Sequence, residues 1–281
     1  MKYLLINFLL FFSVISLAAQ ESDSIKSNWD NKGIVSLNIS QIAFTDWTQG
    51  GDNAITYSFM GDFTFNYKEE KWSFINSLKM AYGQTKIAND DFKTNDNEFY
   101  LESVYSRDIN LWVDPYVSNI VRTTIASGYN YAKSGKTQTS AFFDPGYISQ
   151  SIGVGLNKSE IVKTRLGLGF QETFTNKFRN YSNDPETLDK EEAFKFETGI
   201  ESVTDVQWGF MENMMFKSKL RLFTRFVHLD VWDVRWDNII SAQVNKYIVV
   251  NLNVLVIYEK SQTARTQMKE ALQLGITYTL F

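Results

Sequence analysis

The chain has 281 residues, 44% of them hydrophobic and 15% aromatic, with 28 basic against 32 acidic side chains, a formal charge of −4, one histidine and no cysteine. The slightly acidic balance excludes the basic footprint of a nucleic-acid binder. The missing cysteines exclude disulfides, a thiol nucleophile and an N-terminal lipid anchor, and a single histidine excludes a metal site built on several imidazoles.

Residues 1–19 contain Lys2, an apolar run from Tyr3 to Phe12, and the small residues Ser16, Ala18 and Ala19. This is the form of a cleavable secretory signal, too short and wrongly flanked for a stable spanning helix. Residues 20–32 are polar and read as a short periplasmic tail. No later stretch is long and apolar enough to cross a bilayer as a helix.

From Gly33 to Phe281 the chain divides into twelve stretches that alternate apolar and polar residues, at 33–44, 54–67, 72–82, 98–107, 111–123, 146–157, 161–175, 192–203, 213–225, 231–246, 248–259 and 271–281. The second is the clearest. Ile55, Tyr57, Phe59, Phe63, Phe65 and Tyr67 share one parity, and Thr56, Ser58, Asp62, Thr64 and Asn66 the other. Successive side chains of a strand point to opposite faces, so one face is greasy and the other wet. In the best-patterned strands the greasy parity carries Glu172 as its one charge. The wet parity holds Lys79, Lys163, Arg165, Lys195, Glu197, Glu201 and more. A soluble periplasmic sandwich also alternates, turning its greasy face to a second sheet, whereas a membrane barrel turns it to lipid.

The connections separate the two. Those after odd-numbered strands are mostly long, at 45–53, 83–97, 124–145, 176–191, 226–230 and 260–270, and those after even-numbered strands are mostly tight. Bacterial barrels have an even strand count, long extracellular loops and short periplasmic turns. The segment 204–212 is long for a periplasmic turn and fits this rhythm least well. Aromatic residues cluster where strands meet turns, at Tyr67 and Trp72, Tyr105 and Trp112, and Tyr247, the place of an interfacial girdle. At the C-terminus Leu272, Leu274, Ile276, Tyr278 and Leu280 alternate up to Phe281, which is one residue out of register with Tyr278. This resembles the closing-strand signature read by barrel-assembly machinery. The expected architecture is an all-β, antiparallel transmembrane β-barrel of about twelve strands in the cell outer membrane, one domain over 33–281, surrounded by lipid and lipopolysaccharide.

Two segments, Asp46/Trp47/Thr48/Gln49/Gly50/Gly51/Asp52/Asn53 and Val244/Asn245/Lys246/Tyr247 leading to Leu255/Val256/Ile257/Tyr258, resemble the uncharacterised Gram-negative envelope proteins of the domain of unknown function 3078 family. The resemblance implies an outer-membrane barrel and no reaction. It brings no functional residues to carry over.

Candidate sites follow from the wet face and the loops. The inward parity adds up to nine basic and seven acidic residues, a density at which charges pair across a lumen and narrow or plug it. The strongest expected network is Arg235 between Asp233 and Asp237, facing Lys217, Lys219 and Arg221 on the preceding strand. A narrow channel for small solutes, with a slight anion preference, is one functional reading. A docking barrel that holds an envelope partner through loops 83–97 and 124–145 is another. Trp47, Gly50, Gly51 and Asn53 form a possible loop contact, although tight turns need such residues for geometry alone. The acids and amides Asn89, Asp90, Asp91, Asp96, Asn97 and Glu98 read as a solvated loop and lack EF-hand spacing. A hydrolase would have to use His228, with Asp230 nearby, but there is no G-x-S-x-G elbow to supply a nucleophile. Neither enzymatic activity nor a cofactor is expected.

Overall fold

The structure, a computed structural model, describes residues 28–44, 51–132, 135–156, 159–183, 190–260, 263 and 265–281. The signal at 1–19, most of the tail, and Trp47 and Gly50 lie outside them. Among the described residues fourteen strands form: β1 (Trp29–Ile42), β2 (Ala54–Glu69), β3 (Trp72–Ile87), β4 (Lys93–Arg107), β5 (Asp114–Thr123), β6 (Gly128–Ala132), β7 (Gly135–Ser140), β8 (Gly146–Leu156), β9 (Val162–Phe174), β10 (Phe194–Met211), β11 (Met214–Arg225), β12 (His228–Gln243), β13 (Ile248–Tyr258) and β14 (Gln267–Thr279). Twelve close into a barrel in the order β1-β14-β13-β12-β11-β10-β9-β8-β5-β4-β3-β2, while β6 and β7 make a separate two-stranded hairpin. Every barrel pair is antiparallel. No described helix is long and apolar enough to cross a membrane. The crossing is made by strands.

Alternation dictates which way each side chain faces, and burial shows the result to be inside out. Among the described residues six apolar side chains are buried, against twenty-one polar or charged ones. The greasy parity is outside, where Phe59, Leu166, Leu168, Phe196, Leu272 and Leu274 are exposed. A soluble protein does not leave an apolar surface of this extent in water, whereas a bilayer covers it. A sandwich is thereby excluded.

Several strands run further than their alternation. Trp29–Lys32, expected in the tail, begin β1 and pair with Tyr67–Thr64, and the Trp29 ring packs on Tyr67 at 5.2 Å. The 204–212 segment is no turn. β10 continues through it, with Val206 and Trp208 opposite Ser218 and Phe216, then bulges at Gly209 and turns at Glu212 and Asn213. Segment 83–97 is likewise mostly strand, since β3 reaches Ile87 and β4 starts at Lys93, leaving 88–92 as the loop. Both faces are polar there, so no alternation shows. Cross-strand polar contacts hold it instead: Tyr57 donates to Gln84 at 2.7 Å and the Asn95 amide to the Thr85 hydroxyl at 2.7 Å. The β11–β12 connection shrinks to Phe226 and Val227.

The C-terminal mismatch resolves locally. β14 ends at Thr279, and the chain leaves the strand so that the Phe281 ring lies on the outer face, 6.0 Å from Phe65. A Cβ on Gly33 would sit 2.9 Å from that ring, so the absence of a side chain there is what lets Phe281 cover the join.

Candidate functional site: the charge layer of the lumen

Each inward charge sits where period-two alternation puts it, but its partner is often on a strand far away around the ring. Glu102 on β4 is 4% exposed and takes two cations, Arg165 of β9 at 2.5 Å and Lys219 of β11 at 2.6 Å. Asp205 of β10 stands 2.6 Å from the same lysine. Glu98, four residues before Glu102 on β4 and so on the same face, pairs with Arg235 of β12. Asp237 of β12 holds Lys79 of β3 at 2.9 Å, and Asp96 of β4 holds Lys269 of β14 at 2.8 Å. Arg122 of β5 meets Glu259, just past β13, at 3.0 Å. Apart from Asp205–Lys219, which pairs neighbouring strands, these contacts join non-adjacent strands, so they span the lumen.

A second set lies along the wall. Arg221 donates through Nε to Glu201 at 2.7 Å and through Nη2 to Gln171 at 3.2 Å. Arg225 bonds Glu197 and also Asp233, the latter at 2.7 Å. Phe223, fully buried, lies between Arg221 and Arg225, whose guanidinium carbons stand 5.6 and 5.8 Å from its ring centre. A Cβ on the inward Gly169 would lie 3.1 Å from that ring, so the small residue makes room for it. Desolvated charges are tolerated only when paired and hydrogen-bonded. The lumen largely meets that condition with side chains from its own walls, although Arg165 Nη1 and Asp233 Oδ1 are buried without a hydrogen-bond partner. A cavity of about 40 Å³, room for one or two waters, remains between Met60, Lys79, Asp96, Asp237, Lys269 and Gln273.

The six residues expected to form one hairpin network are all on the inner face, but they do not bond to one another. Arg221 stands opposite Arg235 in register and Lys219 opposite Asp237, yet each turns to another strand. Asp233 goes to Arg225, Arg235 to Glu98 and Asp237 to Lys79. Lys217 is exposed and has no ion partner among the described residues. Asp96, Asp205 and Lys269 escape the sequence reading as lumen groups because their segments read as loop or turn, whereas Glu98 and Glu259 stand at the ends of the stretches 98–107 and 248–259. Glu98 shares the parity of Glu102, and that was the available signal.

The loop candidates disperse. Asp90 pairs with Lys93 at 2.5 Å, and Asp96 and Glu98 join the lumen. Asn97 accepts the Ile125 and Ala126 amides and donates to the Ala126 carbonyl, pinning the next loop onto β4. Among the described residues no group of three acids, histidines or cysteines could hold a metal ion. Asn53 accepts the Phe44 amide at 2.7 Å, and Gly51 has a φ of 129° against the Phe44 ring, so both shape a turn. His228 opens β12 with its side chain exposed, and among the described residues no hydroxyl or carboxylate bonds its imidazole.

The 124–145 connection carries the β6–β7 hairpin, whose Tyr131 hydroxyl accepts the Thr94 amide at 3.1 Å. At its end the buried Asp144 receives the amides of Asn176, Lys177 and Phe178 at 2.9, 2.8 and 3.3 Å. Desolvation disfavours the charged carboxylate, but the three amides and nearby Arg179 outweigh it and hold the group below its usual range. Asp144 thereby locks this loop to the one after β9.

Among solved structures, the chain is similar to the translocator domain of the autotransporter NalP from Neisseria meningitidis, at 9% identity over 95% of this chain and 92% of that one, with a TM-score of 0.36. An outer membrane channel from Pseudomonas putida F1 matches at 7% identity over 93% and 98%, with a TM-score of 0.41. The CymD monoaromatic hydrocarbon channel matches at 9% identity over 91% and 88%, with a TM-score of 0.35. No curated protein matches the sequence. Residues 39–129, which take in the segment 46–53 but not the 244–258 segment, match the family described as Protein of unknown function (DUF3078).

Proposed function

We propose that this chain is an outer-membrane barrel whose lumen is a narrow conduit for small solutes, held shut at rest by its transverse ion pairs. The observation that carries this reading is the set of contacts from β4 to opposite strands: Glu102 to Arg165 and Lys219, Glu98 to Arg235, and Asp96 to Lys269. A purely structural barrel of this width has no need for a charge layer, because apolar side chains fill a lumen at lower desolvation cost. Ion pairs can open and take up water where an apolar filling cannot. The test is conductance in planar bilayers of the refolded protein beside the Glu98→Gln/Glu102→Gln variant. The wild type is expected to be closed almost throughout, and the variant to give discrete steps with anion preference in a salt gradient. Silence from both in correctly folded protein would refute the conduit.

A second reading, docking of an envelope partner through the loops, is favoured by one observation. The hairpin and the loop after β9 are braced into one rim by Asp144, with Phe142 exposed on it. A partner that co-purifies with the intact chain and is lost when 128–140 is excised would support it.

A further inference from the structure

The barrel closes between its first and last strands, and that seam is its shortest. β1 pairs with β2 over the whole of Trp29–Ile42 but with β14 only over Ile34–Asn38, opposite Thr279–Gly275. Toward the periplasmic end two further backbone bonds join Gly33 to Phe281 and Leu280. Toward the loop end pairing stops at Asn38 and Gly275. Yet β1 continues along β2 to Ile42, and β14 runs along β13 from Gln267. Continuing the register would set Ile39 against Leu274 and Gln41 against Leu272, all four on the outer face, and neither pair forms.

Unpaired strand edges are disfavoured in hydrocarbon, so a barrel normally zips its whole length. Here the lower part of the gap is still in the apolar belt, because Leu272 and Leu274 on the outer face are 71% and 58% exposed. The lumen cavity lies behind this stretch of β14, which contributes Lys269 and Gln273 to its lining. Its cations are matched by acids, Lys79 with Asp237 and Lys269 with Asp96. Its hydrogen-bonding groups are neutral amides: Gln273 donates to Ser58 at 3.1 Å and accepts from Asn253 at 3.0 Å. Beneath it, the buried Asn38 keeps its Oδ1 without a hydrogen-bond partner.

We infer that the unzipped half of the β1–β14 seam is a lateral portal, through which an apolar-tailed molecule with a small uncharged polar head passes between the bilayer and the lumen cavity. The inference deepens the conduit reading by naming the class of solute. The tail is specified by Ile39, Leu272 and Leu274 outside, and the head by the amides and balanced charges within. A second chain adding a strand to the seam would satisfy the two edges but leave the cavity behind them unfilled, and charged heads find every ion already matched.

The absence of cysteine makes the test direct. A fluorophore is attached at Ala271→Cys, inward beside the gap, at Leu272→Cys, outward, and at Ser77→Cys, inward on the fully paired β3. A nitroxide-labelled long-chain alcohol is then dissolved in the phosphatidylcholine vesicles that hold each protein. Quenching at 271 is expected to approach that at 272 and to exceed that at 77 several-fold. Equal quenching at 271 and 77 would overturn the portal, whether the seam had zipped or a second chain had covered it. If the Ala271 variant fails to fold, Asn253→Cys, inward on β13, repeats the reading. Quenching with silent bilayers would leave the portal and remove the axial conduit, and conductance without quenching would do the reverse.

Discussion

Glu102 is a junction of the lumen, since one carboxylate meets both Arg165 and Lys219 while almost wholly buried. Glu102→Gln keeps the shape and removes the charge, leaving Arg165 and Lys219 to share the more exposed Asp205. It should lower stability by about 3 kcal/mol, read as the denaturant midpoint of the refolded barrel. Asp144 makes the complementary case outside the bilayer. Asp144→Ala strands three amides, and the loop after β9 should become a protease target at a cost of about 2 kcal/mol. The pH sign follows from the depressed carboxyl. Stability from a group whose folded pKa lies below its unfolded value, about 3.9 for aspartate, is fully present above that value. It is lost as pH falls through the lower folded value. The loop should therefore stay protected at pH 5 and become cleavable only in stronger acid, and unchanged cleavage between pH 5 and pH 2 would contradict this.

At the scale of elements, strands whose two faces meet different solvents could be read directly, as with Ile55–Tyr67, because lipid and lumen impose the period. Where a strand rises beyond the bilayer both faces meet water and the period vanishes. That is why the ends of β3 and β4 passed for a loop and Asp96 and Glu98 for loop acids. The join of β1 and β14 depends on a small residue that only the fold reveals. Gly33→Val would push the Phe281 ring off its seat. It should cost about 1 kcal/mol, read as a lower temperature for loss of the compact, heat-modifiable gel form. Phe281→Ala should cost a similar amount. The double variant should cost little more than either alone, because both remove the same contact.

For the whole molecule, strand number, closure and the inside-out distribution of polarity were legible from alternation and connection lengths. Partner choice inside the lumen was not. Sequence places a charge on a face, but which distant strand it meets depends on the cross-section, and the register neighbours Lys219–Asp237 and Arg221–Arg235 turn away from each other. The β6–β7 hairpin is peripheral to this architecture and forms its own sheet. Excising 128–140 should leave heat-modifiable mobility intact, and loss of that form would show the hairpin to be part of the barrel's stability.

Four transverse ion contacts end on the single strand β4, from Asp96, Glu98 and Glu102. Among the described residues these contacts are thus made by the wall itself, with no separate segment that could swing aside like a stopper. In the conduit we propose, opening has to change the outline of the ring, pulling β4 away from β9, β11, β12 and β14, and a hoop changes outline most easily where it is least tightly joined.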